Sequence, residues 1–202
     1  MAGMLRSLEE ALAPIADGCM LAVPRETSGV AMAATRAQFQ AAEKGVPFMP
    51  LRGLIGSDLL AHRTDWKIAD NPFGNDDPIV LLPALRPDVA LFHAPLADHA
   101  GNVFIGTQRE LVTMAHAAQR TIVTVEGIHD GDLLRDPLLA AGTLPGFYVE
   151  AVAVESRGAW PLPLPDRYGL DAGHLSEYAR LAVTAEGFAQ YLDRYVYEKR
   201  AA

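Results

Sequence analysis

The sequence contains a single cysteine, Cys19, so it has no second thiol with which to form an internal disulfide. This excludes the disulfide-rich frameworks of small secreted domains. A free cysteine can act as a nucleophile, but it is more commonly a small buried residue, and the apolar neighbours of Cys19 favour a place in the core.

Positive charge is also scarce. Lys and Arg total 17 against 25 for Asp and Glu, which gives a net charge of −8. A nucleic-acid or anionic-membrane surface needs a concentrated positive field, so the composition argues against both kinds of partner. A small acidic substrate stays compatible with this charge, because a few local donors are sufficient to bind it.

Several functional signatures are missing. Neither the dinucleotide fingerprint GxGxxG nor the phosphate loop GxxxxGK[ST] occurs, and the six histidines lack the i, i+4 pairing of a zinc helix. We therefore expect no metal site. No apolar run has the length of a membrane span, and the N-terminal residues lack the pattern of a secretory leader, which predicts a cytoplasmic protein.

Half of the residues are apolar, which is enough for a substantial core, and the length of 202 residues predicts a single domain over 1–202. The middle of the chain has the alternation of strand and helix patterns that is typical of an α/β protein. Asp88–His93 and the β-branched run Thr121–Val125 read as buried strands, and Thr107–Arg120 between them reads as a helix. Strand, helix and strand at this spacing predict a parallel pair.

Other segments are read in the same way. The proline-containing run Val46–Leu51 predicts an edge strand or an irregular extended segment. Residues 62–78 are rich in Asp, Asn, Gly and Pro, which is typical of a loop. The remaining predictions are a helix over 4–16, a strand over Cys19–Val23, a helix over Val30–Lys44, an apolar run at Ile79–Leu82, an extended segment around Pro161–Pro165 and two short helices over 174–198.

Two loops have the composition of a ligand site. Ser28 and Gly29 precede the helix that begins at Val30. A hydroxyl, a glycine and unpaired backbone N–H groups at a helix start can hold an anion, although a plain N-cap accounts for most Ser-Gly pairs at helix starts. The loop from Arg52 to Ser57 combines glycines, a hydroxyl donor and an arginine that can bind a carboxylate at two points, although a tight turn with a surface arginine is the alternative.

Two further features are open to both structural and functional interpretation. The segment His93–Asn102 holds Asp98, Gly101 and Asn102, which suit a turn whose side chains bond their own backbone. Glu126 follows a buried strand, where it could be a catalytic carboxylate or could hold a loop or an ion pair. A structural role is the more common one for both features.

Taken in series, several of these segments resemble the α (A) subunit of family I CoA-transferases, in particular the glutaconate CoA-transferase branch. The resemblance covers residues 46–198 well and 5–37 more loosely. The matching stretches are Phe48–Leu59 with its Arg-Gly-x-x-Gly-Ser-Asp motif, Pro83–Ala90, His93–Asn102 with Ala-Asp-x-x-Gly-Asn, and Ala118–Glu126.

The resemblance implies an α/β fold, an open and mostly parallel sheet sandwiched by helices of the CoA-transferase or NagB/RpiA type. It implies that the partner is a β subunit, whose glutamate attacks an acyl-CoA, so that CoA passes to a carboxylic acid without a resident cofactor. No catalytic residue is then expected in this chain. The substrate-binding candidates are Ser28, Gly29, Arg52, Gly53, Gly56 and Ser57.

The sequence departs from the family pattern in two places. Val23–Gly29 replaces the Gly-Gly-Phe type of loop, and the first long helix runs straight into Val46, so we expect a strand–helix–strand unit to be missing and apolar surface to be uncovered. The alternatives to transfer are hydrolysis of a CoA ester or of a CoA-linked ring, and a non-catalytic role in which the chain stabilises the β subunit. The weakest alternative is a sugar-phosphate isomerase or sensor, because its phosphate cradle needs more glycines and a lysine.

Overall fold

The structure, a computed structural model, describes residues 4–24 and 30–197, with side chains from residue 33 onward in the second stretch. The chain divides into two compact units, Met1–Ser156 and Arg157–Ala202. The single domain expected over 1–202 stays a prediction.

The strands and helices of the described residues are β1 (Leu21–Ala22), β2 (Phe48–Leu51), β3 (Lys67–Asp70), β4 (Pro78–Pro83), β5 (Val89–Ala94), β6 (Leu96–Asp98), β7 (Val103–Phe104), β8 (Arg120–Val125), β9 (Ile128–His129), β10 (Thr143–Leu144), β11 (Ala151–Val154), α1 (Leu8–Leu12), α2 (Val30–Glu43), α3 (Asp58–His62), α4 (Arg109–Ala117), α5 (Ala172–Leu181) and α6 (Ala185–Leu192).

The centre of the first unit is a parallel sheet with the strand order β1-β5-β8-β11. Its strands carry mostly apolar side chains on both faces, as expected of parallel strands that are covered on both sides. One face packs against α1, and the other contributes Phe92 and Val123 to a core with Leu111 and Met114 of α4. This confirms the α/β fold class, with the sheet between helices.

The chain continues beyond the two central strands into a second sheet of four short strands, in the order β10-β7-β6-β9. Pro95 separates β5 from β6, and Glu126-Gly127 separates β8 from β9. The pairing of β6 with β9 is again parallel, whereas β7 pairs antiparallel with both of its neighbours. The second sheet therefore extends from the carboxyl ends of β5 and β8.

The third sheet is antiparallel, with the order β2-β4-β3. Val80 and Leu82 of β4 alternate inward and pack with Ala34 and Ala37 of α2. The opposite face of this sheet is half-exposed and apolar. The prolines of the Val46–Leu51 segment are tolerated because β2 is an edge strand, as predicted.

Several local predictions were wrong. The helix expected over 4–16 is confined to Leu8–Leu12, because Met4 and Arg6 exchange backbone hydrogen bonds with Val152 of β11. Ser7 and Glu10 form a reciprocal capping box that starts α1 at Leu8. The strand expected over Cys19–Val23 is only two residues long. The segment 62–78, expected to be a loop, contains β3, which is stabilised by its pairing with β4 rather than by its composition.

The second unit holds α5 and α6, followed by a π-helical turn at Asp193–Tyr197, the last of its described residues. This confirms two helices in the tail. His174 is buried, and its Nε2 lies 2.8 Å from the hydroxyl of Tyr191. The rings of Trp160 and Tyr195 pack on the same imidazole. Neither helix, nor any other among the described residues, is both long enough and apolar enough to cross a bilayer.

Candidate functional site

Ligands of open parallel α/β sheets collect outside the carboxyl ends of the strands. In the parallel sheet this edge is formed by the ends of β1, β5, β8 and β11, at Ala22, Ala94, Val125 and Val154. The stretch that contains Ser28 and Gly29 follows β1 and precedes α2. Both residues lie outside the described residues, so their role as an anion cradle stays a prediction.

The loop predicted from Arg52 to Ser57 connects β2 to α3. Leu54 is its buried anchor and packs in the same cluster as Ala34 and Ala37 of α2. Two consecutive turns form around it, with the N–H of Ile55 donating to the Arg52 carbonyl and the N–H of Ser57 donating to the Leu54 carbonyl. One buried leucine therefore holds this short loop against the first half of α2.

The two glycines of this loop face open space. Gly56 has φ = +78°, a left-handed conformation that glycine adopts without the steric penalty of a β-carbon. A β-carbon built on Gly53 or Gly56 would meet no other heavy atom within 4 Å. Both positions therefore leave the backbone accessible to a bound molecule, as the sequence prediction requires.

The guanidinium of Arg52 is held at the surface by Asp77. The two side chains form an ion pair, and the Asp77 carboxylate also accepts a hydrogen bond from Asn71. The hydrogen bond from Asn71, which has the larger effect, and the hydrogen bond from Arg52 together lower the pKa of Asp77. Because the Arg52 side chain is 70% exposed and a guanidinium carries five N–H donors, it can still bind an incoming carboxylate.

An open cavity of about 610 Å³ lies along the half-exposed face of the antiparallel sheet, and Arg52 is at its rim. Phe48, Ile79 and Leu81 supply apolar walls, and Asn71 supplies a polar group. An apolar wall with a few polar groups is typical of a small-molecule site. The structure thus brings Arg52 together with residues of β2, β3 and β4 that the sequence prediction did not include.

The hydroxyl of Ser57, which was predicted to donate to a ligand, donates within its own loop. Ser57 is the N-cap of α3 but makes no side-chain cap, and its Oγ donates instead to the Leu54 carbonyl at 2.7 Å. The oxygen can still accept a hydrogen bond. Donation to a substrate would require the hydroxyl to exchange this partner.

A second polar cluster joins residues that the sequence analysis did not place together. His93 on β5 is opposite Thr124 on β8, and Glu126 lies one residue beyond β8 on the same face. The Nδ1 of His93 is 2.8 Å from the Thr124 hydroxyl, and its Nε2 is 2.7 Å from Oε1 of Glu126. The alternation of side chains along each strand could indicate a shared face, but the pairing depends on the register between the strands.

The Asp98–Asn102 turn has a structural role. Asp98 is buried and accepts hydrogen bonds from the backbone N–H groups of Ala100, Asn102 and Leu133 and from the side chain of Asn102. The Asn102 side chain in turn accepts a hydrogen bond from the N–H of Gly146. This turn therefore joins three parts of the chain, in agreement with an architectural interpretation.

These features define the class of the protein: an open α/β protein with a polar cluster at the carboxyl edge of its parallel sheet and a glycine-containing loop with an exposed arginine. The chain belongs to the coenzyme A transferase family, whose profile, "Coenzyme A transferase", matches residues 33–155.

Two curated relatives and one crystal structure agree with this assignment. The glutaconate CoA-transferase A subunit of Acidaminococcus fermentans is 32% identical over 79% of this chain and 55% of its own length. The 3-oxoadipate CoA-transferase A subunit of Pseudomonas knackmussii is 33% identical over 78% of this chain and 55% of its own length. The chain spans about half the length of these curated relatives. The crystal structure of the Acidaminococcus fermentans glutaconate coenzyme A-transferase superposes with a TM-score of 0.75 at 30% identity, over 82% of this chain and 57% of that one.

Proposed function

We propose that this chain is the α subunit of a heteromeric CoA-transferase that moves CoA between an acyl-CoA and a carboxylic acid. The support is the family assignment over residues 33–155 together with relatives that are named as the A subunits of such transferases. Coenzyme A is then a substrate, and no separate cofactor is required. A cytoplasmic location stays a prediction.

The chemistry divides between two chains in this proposal. A β-subunit glutamate attacks the thioester carbonyl and displaces the CoA thiolate, which leaves a mixed anhydride. The thiolate then attacks the glutamyl carbonyl of this anhydride, so that the donor's acyl group leaves as a carboxylate and a glutamyl-CoA thioester forms. The α chain binds the acyl part and stabilises the negative charge that develops on the carbonyl oxygen. The α chain alone then has no attacking carboxylate for transfer.

The observation that carries the proposal is the loop from Arg52 to Ser57. Its glycines are open to a ligand, its backbone is anchored by Leu54, and Arg52 is exposed at the rim of a cavity with apolar walls. An acyl-CoA with a terminal carboxylate would place its chain along the apolar wall and its charged end against the guanidinium. Two-point binding of a carboxylate is the geometry to which arginine is suited.

Dependence on a partner is the first test. Co-expression of this chain with a CoA-transferase β subunit from the same genome should give an enzyme that exchanges CoA between an acyl-CoA and labelled acetate, and the α chain alone should be inert. The exchange is measured with acetyl-, butyryl- and glutaryl-CoA as donors. Transfer by the purified α chain, or no exchange from the purified complex with any donor, would contradict the proposal.

Arg52→Ala should raise the KM for a donor with a carboxylate on its acyl group, because the charged clamp is lost. For glutaryl-CoA we expect a rise of about tenfold or more, since a hydrogen bond to a charged group contributes about 1.5–3 kcal/mol. Stability should change by less than about 1 kcal/mol, because the Arg52–Asp77 pair is exposed and screened by solvent.

Arg135→Ala is the matched control for Arg52→Ala. Arg135 is also exposed and pairs with a carboxylate, Asp132, at 3.2 Å. It should leave the KM for glutaryl-CoA unchanged. An unchanged KM in Arg52→Ala, measured beside this control, would remove Arg52 from the site.

A further inference from the structure

The cluster of Thr124, His93 and Glu126 interrupts an otherwise apolar face of the parallel sheet. Toward the amino ends of the strands, the same face carries Val89, Leu91 and Ile122, which pack against α1. Side chains two residues apart on a strand share a face, so His93 continues the row of Leu91, and Thr124 and Glu126 continue the row of Ile122. The face therefore changes from apolar to polar at the carboxyl edge, where open α/β sheets generally bind their ligands.

This change of polarity is unfavourable for folding by itself. The side chains of His93 and Glu126 are only 6% and 13% exposed. Desolvating a carboxylate costs several kcal/mol, which a partner only partly offsets, and apolar residues at the same positions would extend the core. The burial of this pair therefore favours a functional role over a purely stabilising one.

The hydrogen-bond directions follow from the chemistry of the groups. An ionised carboxylate can only accept, so the Nε2 of His93 carries the hydrogen that faces Glu126. In the neutral imidazole Nδ1 is then an acceptor, and the Thr124 hydroxyl donates to it. The ring is thereby fixed in both tautomer and orientation.

The same arrangement can take up one proton without losing a hydrogen bond. If Glu126 takes up a proton on its second oxygen, Oε1 still accepts from Nε2 of His93, and the Thr124 hydroxyl still donates to Nδ1. Glu126 keeps its bond to Nε2 throughout. The three side chains therefore form a proton-accepting unit at the carboxyl edge of the sheet.

CoA transfer itself does not require such a unit. In transfer, the attacking carboxylate and the displaced thiolate are both already ionised, and no proton has to be removed from the nucleophile. Water differs, because it must lose a proton as it attacks. A positioned proton acceptor is thus useful when water competes with the acceptor acid.

We propose that Glu126, oriented by His93, is a general base that activates water, so that the assembled protein hydrolyses the acyl-CoA that it binds. The water oxygen bonds to the thioester carbonyl carbon as Glu126 takes its proton. The C–S bond then breaks, and the CoA thiolate leaves and takes a proton from Glu126. The products are the free acid and CoA thiol. This inference rests on the proposed function, because it needs an acyl-CoA at this edge of the chain.

The test uses the complex of α and β chains with the same three acyl-CoA donors. Hydrolysis is followed as release of free thiol in the absence of acceptor acid, and transfer is followed as exchange with labelled acetate. We expect wild-type thiol release with at least one donor. For Glu126→Gln we expect the kcat of hydrolysis to fall about 100-fold or more, the usual contribution of a general base, with KM within about twofold.

Two further variants separate catalysis from folding. His93→Gln replaces the imidazole, which Thr124 and Glu126 hold in one orientation, by a more flexible amide that no longer fixes the Glu126 carboxylate, so it should also lower hydrolytic kcat while the complex remains folded. Glu150→Gln is the matched carboxylate control, because Glu150 lies just before β11, where it pairs with Arg120 at the amino end of β8, 3.6 Å away. It should leave thiol release unchanged.

The outcomes distinguish the two levels of the proposal. No exchange and no thiol release from the wild-type complex would overturn the proposed function and this inference with it. Exchange without thiol release would overturn only the inference. So would hydrolysis that persists in Glu126→Gln, or in His93→Gln if the Glu126 variant fails to fold, because the pair would then be only structural.

Discussion

Asp98→Asn should destabilise the protein by about 3–4 kcal/mol, because it replaces one acceptor oxygen of a buried carboxylate by an NH₂ group that faces other donors. Asp98 is 1% exposed, and its Oδ2 accepts hydrogen bonds from the N–H of Leu133 and the side chain of Asn102, while Oδ1 accepts two more from the backbone. The measurement is the free energy of unfolding in urea at pH 7.

The pH dependence of this effect follows from the pKa of Asp98. Burial by itself would raise that pKa, but the hydrogen bonds from Asn102, Leu133 and Ala100 outweigh burial and hold the pKa below its usual value. Because the folded state binds the proton less readily than the unfolded state, the stabilisation is complete above the unfolded pKa of about 4 and is lost as the pH falls through the folded pKa. The difference between wild type and Asp98→Asn should therefore narrow below about pH 4.

Asp130→Asn is the control for Asp98→Asn, because the Asp130 side chain is fully exposed and is 3.9 Å from His99. A surface substitution of this kind should change stability by less than about 0.5 kcal/mol. Equal stabilities for Asp98→Asn and wild type at pH 7 would show that the buried carboxylate does not hold the turn.

Gly146→Ala should destabilise the protein by about 3 kcal/mol through overpacking. A β-carbon at this position would lie 2.6 Å from the carbonyl oxygen of Ala100 and 2.9 Å from the carbonyl carbon of Gly101. Both contacts are with backbone, so they cannot be relieved by rotating a side chain. The turn would have to move away from Gly146, whose N–H donates to Asn102 at 2.8 Å.

Gly169→Ala provides the comparison for Gly146→Ala, since a β-carbon on Gly169 meets no heavy atom within 4 Å. Its stability should stay within about 0.5 kcal/mol of wild type. Both variants are measured by urea unfolding, with thermal unfolding as a second probe. If the two alanines had equal effects, the close approach of Gly146 to the Asp98–Asn102 turn would not matter for stability.

The local elements that the sequence predicted best are those with a strong composition of their own. β5 and β8 are short runs dominated by apolar and β-branched residues, and α4 has its apolar residues at helical spacing, so each was recognisable without its partners. β3 was missed because Lys67, Ile68, Ala69 and Asp70 form a strand only through their register with β4. Composition carries little information about such a pairing.

For the candidate site, too, the sequence showed the local features but not the long-range contacts. The loop from Arg52 to Ser57 is contiguous, so its glycines, arginine and hydroxyl were visible in the sequence. The partners to which those groups bind were not visible there. Asp77, 25 residues away, pairs with Arg52, and the Ser57 hydroxyl turns to the Leu54 carbonyl. Neither partner follows from composition or spacing.

The sequence by itself determined the family, the α/β class and the residue types of the candidate loop, because these depend on motifs and on short-range periodicity. Only the tertiary structure decided that His93 and Glu126, 33 positions apart, meet across two parallel strands at 2.7 Å. The physical reason is register: a shift of one residue between β5 and β8 would turn one member of the pair to the opposite face. That register is set by the packing of both faces of the sheet, which no local stretch of sequence contains.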